Sequence, residues 1–320
     1  MQTSRQPIQP LFSGLRPFRQ ADMASLSRLL WEAHACPPTK RPSPSDIMIR
    51  WQRRNIDPQN DVQVLPDGDG ELAAFMQVGI FRDGTPRLNF EIAVHPDYRR
   101  QGIGTALYNL VMQRAERSPI SHITTPVYTM PGDGTGAVGE WLVERGFHPG
   151  HSFWQMRLDN LSDAVIPSWP EGISVRTFSD MEHDPVKWAG LIVSSFGESA
   201  SAAGIITQLG EPGVSPNGYF FAIDTATGRE VGTSRARIDI VDGQPTGYIG
   251  TVGVLPKYRG RGIAGALVGQ TVRYLASQGM SSATLFVENS NKGARSLYEK
   301  LGWRYAYLTN HYVKVVDKQS

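Results

Sequence analysis

One cysteine, Cys36, stands in 320 residues. Neither an internal disulfide nor a thiolate metal cluster can form, a reducing compartment suits the chain, and no metal site is expected. Nowhere is there a run of about 18 apolar residues of the kind that crosses a bilayer. The amino-terminal stretch, rich in Gln, Pro and Arg, also lacks the apolar core of a signal peptide. A soluble, cytoplasmic protein is the expectation. Charge of one sign is scarce as well. The formal net charge is +2, with 17 Lys/Arg against 16 Asp/Glu in residues 1–160 and 15 against 14 in the rest. Neither half is a basic arm, so no nucleic-acid or membrane partner is expected. The densest basic cluster, Arg50-Trp51-Gln52-Arg53-Arg54, falls in a helix-like stretch and reads most simply as a solvated face.

What the chain does contain, it contains twice. His95-Pro96-Asp97-Tyr98-Arg99-Arg100-Gln101-Gly102-Ile103-Gly104-Thr105-Ala106-Leu107 returns as Leu255-Pro256-Lys257-Tyr258-Arg259-Gly260-Arg261-Gly262-Ile263-Ala264-Gly265-Ala266-Leu267. Pro, Tyr, Arg, Gly, Ile, Ala and Leu recur at one fixed offset, which is repeat evidence. Each copy follows an apolar run, Ile92-Ala93-Val94 or Val252-Gly253-Val254. Each opens a helical stripe, Ile103, Leu107, Leu110 and Val111 or Ile263, Leu267, Thr271 and Leu275. The unit is a strand, a Gly-rich turn and a helix N-terminus. Such a terminus presents unpartnered N–H groups and the positive end of the helix dipole, so it is an anion site. Glycine at 102 and 262 lets a phosphate approach the backbone, and Arg99, Arg100, Arg259 and Arg261 supply charge. A pyrophosphate is the expected ligand.

Around these segments the pattern is α+β. Residues 1–13 read as a tail and Leu15–Phe18 as a first strand. A helix from Ala21 to His34 is followed, after a Pro-rich loop, by a second near Asp46–Arg54. Strands at 62–65, 72–81 and 88–94 are separated by turns at 67–70 and 83–86. The Gly102 helix, a strand at 122–128, a helix at 137–144 and a strand at 153–158 complete the first half. Residues 159–171, with Pro167 and Pro170, read as a linker. The order then restarts: strand 173–176, helix 185–196, strands 219–223 and 231–241 closed by turns at 225–228 and 242–245, and strand 247–254. The Gly262 helix, strand 283–287, helix 291–301 and closing strands at 303–308 and 312–316 follow. The turn pairs are offset by 158 and 159, close to the 160 of the Gly segment. The domains are therefore expected at 14–158 and 172–317, each a mostly antiparallel mixed sheet with flanking helices and one parallel crossover.

Gly260-Arg261-Gly262-Ile263-Ala264-Gly265 also fits the dinucleotide fingerprint G-x-G-x-x-G, with Glu288 about 20 residues on where a ribose-binding acid belongs. Antiparallel hairpins upstream argue against it, and the first copy lacks the outer glycines. What both copies share is Arg-x-x-Gly-x-Gly/Ala after Pro-x-Tyr. This resembles motif A of the GNAT N-acetyltransferase family, which binds the pyrophosphate of acetyl-coenzyme A. Downstream, Asn291-Lys292-Gly293-Ala294-Arg295-Ser296-Leu297-Tyr298-Glu299-Lys300-Leu301-Gly302-Trp303 resembles the family's motif B. The tandem arrangement is similar to that of the mycothiol synthases, in which the C-terminal half does the chemistry, although Tyr248 stands where a substrate-binding acid is expected.

The resemblance implies two tandem GNAT folds. It also implies an acetyl-CoA site in which Val252, Gly253 and Val254 offer backbone groups to the pantetheine arm. Arg259, Gly260, Arg261, Gly262, Ile263, Ala264 and Gly265 would hold the pyrophosphate, with Asn291 beside the arm. The matching first-half positions are Ile92, Ala93, Val94, Arg99, Arg100, Gln101, Gly102, Ile103, Gly104 and Thr105. Tyr298 would protonate the departing thiolate. The first half has Leu142 and Thr135 at the places of Tyr298 and Asn291, or Trp141 after a one-residue slide, and is expected to be silent. The amine acceptor, small molecule or peptide, needs a base, for which Glu288, Asp239 and His311 are candidates beside a water chain. Glu91, on the corresponding strand of the first half, reads as merely polar. Arg235 and Arg237 would favour an acidic or phosphorylated acceptor if they faced the pocket. The other reading is an acyl-CoA-binding sensor or structural tandem module without turnover.

Overall fold

The computed structural model describes residues 14–37, 41–81, 85–197, 200–241 and 244–316. The tail at 1–13, the residue pairs Asp83–Gly84 and Asp242–Gly243 at the heart of two expected turns, and the expected domain end at 317 lie outside the described residues. The chain divides into two units, residues 1–153 with 307–320, and residues 154–306.

The first unit contains β1 (Arg16–Pro17), α1 (Met23–Glu32), α2 (Pro44–Arg53), β2 (Val62–Pro66), β3 (Leu72–Phe81), β4 (Arg87–Val94), α3 (Ile103–Glu116), β5 (His122–Thr129) and α4 (Gly136–Val143). To these it adds the start of β6 (His148–Leu158) and most of β12 (Arg304–Val315). Helix α2 starts two residues earlier than its sequence suggests. Ser43 accepts from the Asp46 amide at 3.2 Å while Asp46 accepts from the Ser43 amide at 2.8 Å, and Pro44 takes the first helical position. The strands β1 to β4 are antiparallel neighbours, and β4 meets β5 in parallel through the α3 crossover. The β4 residues Leu88 and Phe90 pack beneath α3 with Leu107 and Val111, whereas Ala93 belongs to a second cluster with Phe75, Trp51 and the α1 leucines. The sheet is thus covered on both faces.

The second unit contains the end of β6, β7 (Ile173–Thr177), α5 (Asp184–Phe196), α6 (Ala202–Leu209), β8 (Tyr219–Asp224), β9 (Glu230–Val241), β10 (Gln244–Val254), α7 (Ile263–Ser277), β11 (Ala283–Glu288) and α8 (Lys292–Lys300). Strands β7 to β10 are antiparallel neighbours and β10 pairs with β11 in parallel through α7. The expected α7 stripe is the buried one, with Ile263, Leu267, Thr271 and Leu275 at most 1% exposed. On the sheet face toward α7 lie Ala236, Ile249, Ala283, Leu285 and Val287. The alternation of strand side chains therefore sends Arg235, Arg237, Asp239 and Tyr248 to the opposite face.

Three expectations change. Helix α6 was not anticipated; Ser201, which accepts from the Gly204 amide at 3.2 Å, is the cap that signals it. The two closing strands are one, because Thr309, Asn310 and His311 continue the ladder opposite Tyr128, Val127 and Pro126, and from Tyr307 onward this strand belongs to the first unit. Residues 159–171 are packed rather than free: the Leu161 amide donates to Ser281 and the Val165 amide to Leu301, and Ile166, Pro167 and Pro170 lie against Gly269, Gly265 and Gly262 of the α7 segment. No helix of the described residues is long and apolar enough to cross a membrane.

Candidate active site

The second unit's sheet opens at one place. The parallel pairing of β10 with β11 ends at Ile249 opposite Leu285, yet β10 runs on to Val254 and β11 to Glu288. On the other side of β10 the register with β9 shifts between Gly250 and Gly253, and Thr251 takes a left-handed conformation at φ 55°. That is a β-bulge, which leaves Thr251 and Val252 without partners in the β9 ladder and bends the strand away from β11. Beyond Val254 the chain turns through Pro256–Tyr258 to Gly262, which starts α7 at φ 82° with no side-chain cap. The first-turn amides of α7 are thereby left to whatever anion approaches them.

The repeated Pro-x-Tyr-Arg turns out to be the scaffold of that turn. Tyr258 donates to Asp224 at 2.8 Å and Tyr98 to Asp67 at 3.3 Å. Arg259 donates from Nε to the Val254 carbonyl and from Nη2 to the Ser195 carbonyl; Arg99 does the same to Val94 and Ala33. Two of the expected anion-binding arginines therefore each give two of their five donors to fixing the strand end to the helix before it. Gly102 repeats the φ of Gly262, at 82°, whereas Arg100 sits at φ 60° where the second copy has Gly260 at 76°.

Here the two units differ. Strand β4 pairs with β3 without a register shift from Ala74 opposite Val94 to Phe81 opposite Arg87, so it has no bulge. The extra residue in β10 accounts for the repeat offset growing from 159 at the hairpin turn to 160 at the Gly segment. Opposite Gln77 on β4 stands Glu91, 4% exposed and ion-paired to Arg54 and, at 3.5 Å, to Arg50. Burial pushes the Glu91 carboxyl up, but the two guanidiniums outweigh it and hold it below its usual range. This overturns the solvated-face reading at Arg50, Trp51 and Arg54: Trp51 is 1% exposed and donates to Gln77 at 2.6 Å, and Arg50 and Arg54 turn inward to Glu91. In the second unit the residue opposite Arg235 is Gly250, and the corresponding space is not filled by a carboxylate pair.

Tyr298 lies on α8, whose first turn is capped by Asn291 accepting from the Ala294 amide at 3.1 Å. Its ring meets Trp303 edge-on at 6.3 Å, and burial, reinforced by Tyr248, pushes its hydroxyl well above the ordinary 10. Tyr248 carries the Arg237 guanidinium 4.6 Å above its ring and stands 6.4 Å from Phe286. Glu288 ends β11, and its carbonyl accepts from the Asn291 amide at 3.0 Å, which sets it at the start of the Tyr298 helix. Asp239 is tied to Arg237 at 2.7 Å, and His311 belongs to the first unit. In that unit Leu142 is a core side chain and Thr135 bonds the Tyr312 hydroxyl at 3.0 Å instead of capping α4. Sequence reasoning missed the bulge, although Gly247, Gly250 and Gly253 within one strand are its signal.

The sequence model of the acetyltransferase (GNAT) family matches residues 24–133 and again 191–303. A mycothiol acetyltransferase of Salinispora arenicola is 29% identical over 242 residues, covering 73% of this chain and 75% of that one. One of Thermobispora bispora is 28% identical, covering 75% and 79%. Among solved structures, a GCN5-related N-acetyltransferase from Sphaerobacter thermophilus superposes with a TM-score of 0.77 at 24% identity, covering 95% and 96%. A tandem GNAT protein from the clavulanic acid biosynthesis pathway gives 0.68 at 18%, covering 96% and 99%.

Proposed function

The chain belongs to the acetyltransferase (GNAT) family as a tandem N-acetyltransferase that uses acetyl-CoA, and from that premise we propose that its second unit transfers the acetyl group directly to a primary amine within a ternary complex. The reading rests on one observation: a single unit combines a bulged, half-unpaired strand, an uncapped glycine-led helix and a buried tyrosine whose cluster includes Val252 of that strand. Acetyl-CoA supplies the activated thioester. The edge of Val252, Gly253 and Val254 that faces β11, unpaired beyond Ile249, takes the pantetheine arm as an added strand, and residues 259–265 receive the pyrophosphate on the first-turn amides of α7. Asn291 fixes the start of α8 beside the arm. An amide freed by the bulge at Thr251 or Val252 is placed to stabilise negative charge on the carbonyl oxygen.

Tyr298 gives its proton to the departing sulfur. Its hydroxyl, raised by burial, remains protonated at neutral pH, which is the state a general acid needs. Glu288, at the end of β11, draws the amine proton away through water, since Asp239 is committed to Arg237. In the first unit, Ile92, Ala93, Val94 and residues 99–105 form a second coenzyme A site without an acid to complete turnover. The acceptor is a small-molecule or peptide amine, and the mycothiol acetyltransferase relatives favour the former. Thiol release over a panel of amines tests the reading. Release with at least one amine is expected; coenzyme A binding without release from any acceptor moves the second unit to the sensor class. Calorimetry with coenzyme A and NAD tests the cofactor, and NAD binding in place of coenzyme A overturns it.

A further inference from the structure

Among the described residues of the second unit, five buried side-chain polar atoms lack a hydrogen-bond partner; Arg237 Nε still faces the Asp239 carboxylate and Trp303 Nε1 lies past the end of α8, while Thr233 Oγ1, Ser195 Oγ and Arg235 Nε border the β10 bulge. Thr233 is the register partner of Gly253 and Arg235 that of Gly250, the two residues between which the shift occurs. A Cβ on Gly253 would lie 3.2 Å from Ser195 Cβ, and one on Gly250 would lie 3.4 Å from Arg235 Nε. Thr233 is fully buried. A buried polar atom without a partner is destabilising, so three gathered at one bend call for a ligand that satisfies them.

The charge around them has a sign. Arg237 is neutralised by Asp239 at 2.7 Å, with Glu211 at 3.9 Å. Arg235 meets only neutral groups, giving Nη1 to Gln208 Oε1 at 2.5 Å and to the Tyr219 hydroxyl at 3.4 Å. Among the described residues no carboxylate pairs with it. The anchored Nη1 leaves the Nε–Nη2 edge of the guanidinium, whose two parallel N–H vectors match the two oxygens of a carboxylate. In the first unit the equivalent strand position holds Gln77, and the facing Glu91 is paired with Arg50 and Arg54. A carboxylate from the protein thus stands there where Gly250 leaves room in the second unit.

We infer that the acceptor is an amine that carries a carboxylate, seated on Arg235 with Thr233 and Ser195 beside it. The inference rests on the proposed transferase reading and narrows its acceptor to amino acids and their carboxylate-bearing derivatives. Arg235 is an anchoring residue: it positions the acceptor without touching the reacting carbonyl.

Two measurements test this. In the first, thiol release is compared between amino acids and the corresponding carboxamides, which keep the amine and lose the charge. At least a ten-fold preference in kcat/KM for the acid is expected, carried mainly by KM. Arg235→Gln should bring the ratio near one and Arg235→Lys should keep most of it, with coenzyme A affinity unchanged in both. A wild-type enzyme that turns over the amides as well as the acids overturns the inference, as does an Arg235→Gln variant that slows both equally. In the second, calorimetry in the presence of coenzyme A compares N-acetyl amino acids with their amides. Tighter binding of the acids with no turnover of any amine leaves the anion site standing and sinks the transferase reading; equal binding overturns the site whether or not turnover occurs. The wild-type comparisons decide the matter even if Arg235→Gln does not fold.

Discussion

Tyr298 and Glu91 are both buried, and burial acts on them with opposite results. Around Tyr298 no cation offsets the loss of water, so the neutral hydroxyl is favoured and its titration moves above 10. Tyr298→Phe is expected to lower turnover roughly ten- to a thousand-fold while coenzyme A affinity stays nearly intact, read from steady-state rates and calorimetry. The acid also remains loaded up to pH 9.5, so kcat should not fall between pH 7 and 9.5 on its account. A descending limb in that range that disappears in Tyr298→Phe would contradict this. Around Glu91 two arginines reverse the effect of burial. A carboxyl held below its ordinary 4.5 adds stability that is complete above that value and is lost as pH falls through the folded-state value beneath it. Glu91→Gln leaves Arg50 and Arg54 facing a neutral group and is expected to cost about 3 kcal/mol at pH 7. Urea melts should show that cost shrinking as the pH is lowered from 5 to 3.

At the scale of the element, the turn into α7 depends on backbone conformation more than on side-chain space. A Cβ on Gly262 would make only ordinary contact with Pro170 at 3.7 Å, but φ 82° strains any other residue. Gly262→Val should therefore weaken coenzyme A binding by displacing the first-turn amides, at a backbone cost of about 1–2 kcal/mol. Gly102→Val distorts the same turn in the first unit and is expected to remove at most one binding stoichiometry while most activity remains. Calorimetric stoichiometry and rates measured on both variants check the assignment. Loss of activity in a folded Gly102→Val protein, with Tyr298→Phe fully active, would place the working site in the other unit.

Across the whole molecule the units are not consecutive in sequence. Strand β12 belongs to the first unit from Tyr307 onward and pairs with β5 from Leu308, and Tyr312 is part of the first unit's core. Residues 154–158 of β6 belong to the second unit, whose core includes Met156 and Leu158. A chain severed within 159–171 consequently gives two pieces that each lack a strand of their own unit, and the first loses the cover of β5. Neither piece is expected to give a cooperative thermal transition alone, and an equimolar mixture is expected to regain one. Independent cooperative melting of both pieces, followed by calorimetry, would refute this.

Local pattern settled whatever local physics controls. The apolar run Leu72–Phe81 between its turns marks β3 to the residue, the 3.6-residue stripe marks α7, and the doubled Gly segment announces two copies of one strand–turn–helix unit. The resemblance to motif B likewise pointed to Asn291 as the cap of the helix that carries Tyr298, and Asn291 accepts from the Ala294 amide there. Only the tertiary structure decided which polar residues turn inward. Arg50 and Arg54 look like a wet helix face until Glu91, some 40 residues away in sequence, supplies the charge that brings them inside. The polar triplet Thr309–His311 looks like a loop until β5 of the other half of the chain gives it a ladder. The bulge that separates a filled site from an open one adds a single residue to a strand. Its effect is to reassign which side chains share a face, and that is settled only when the neighbouring strands are in place.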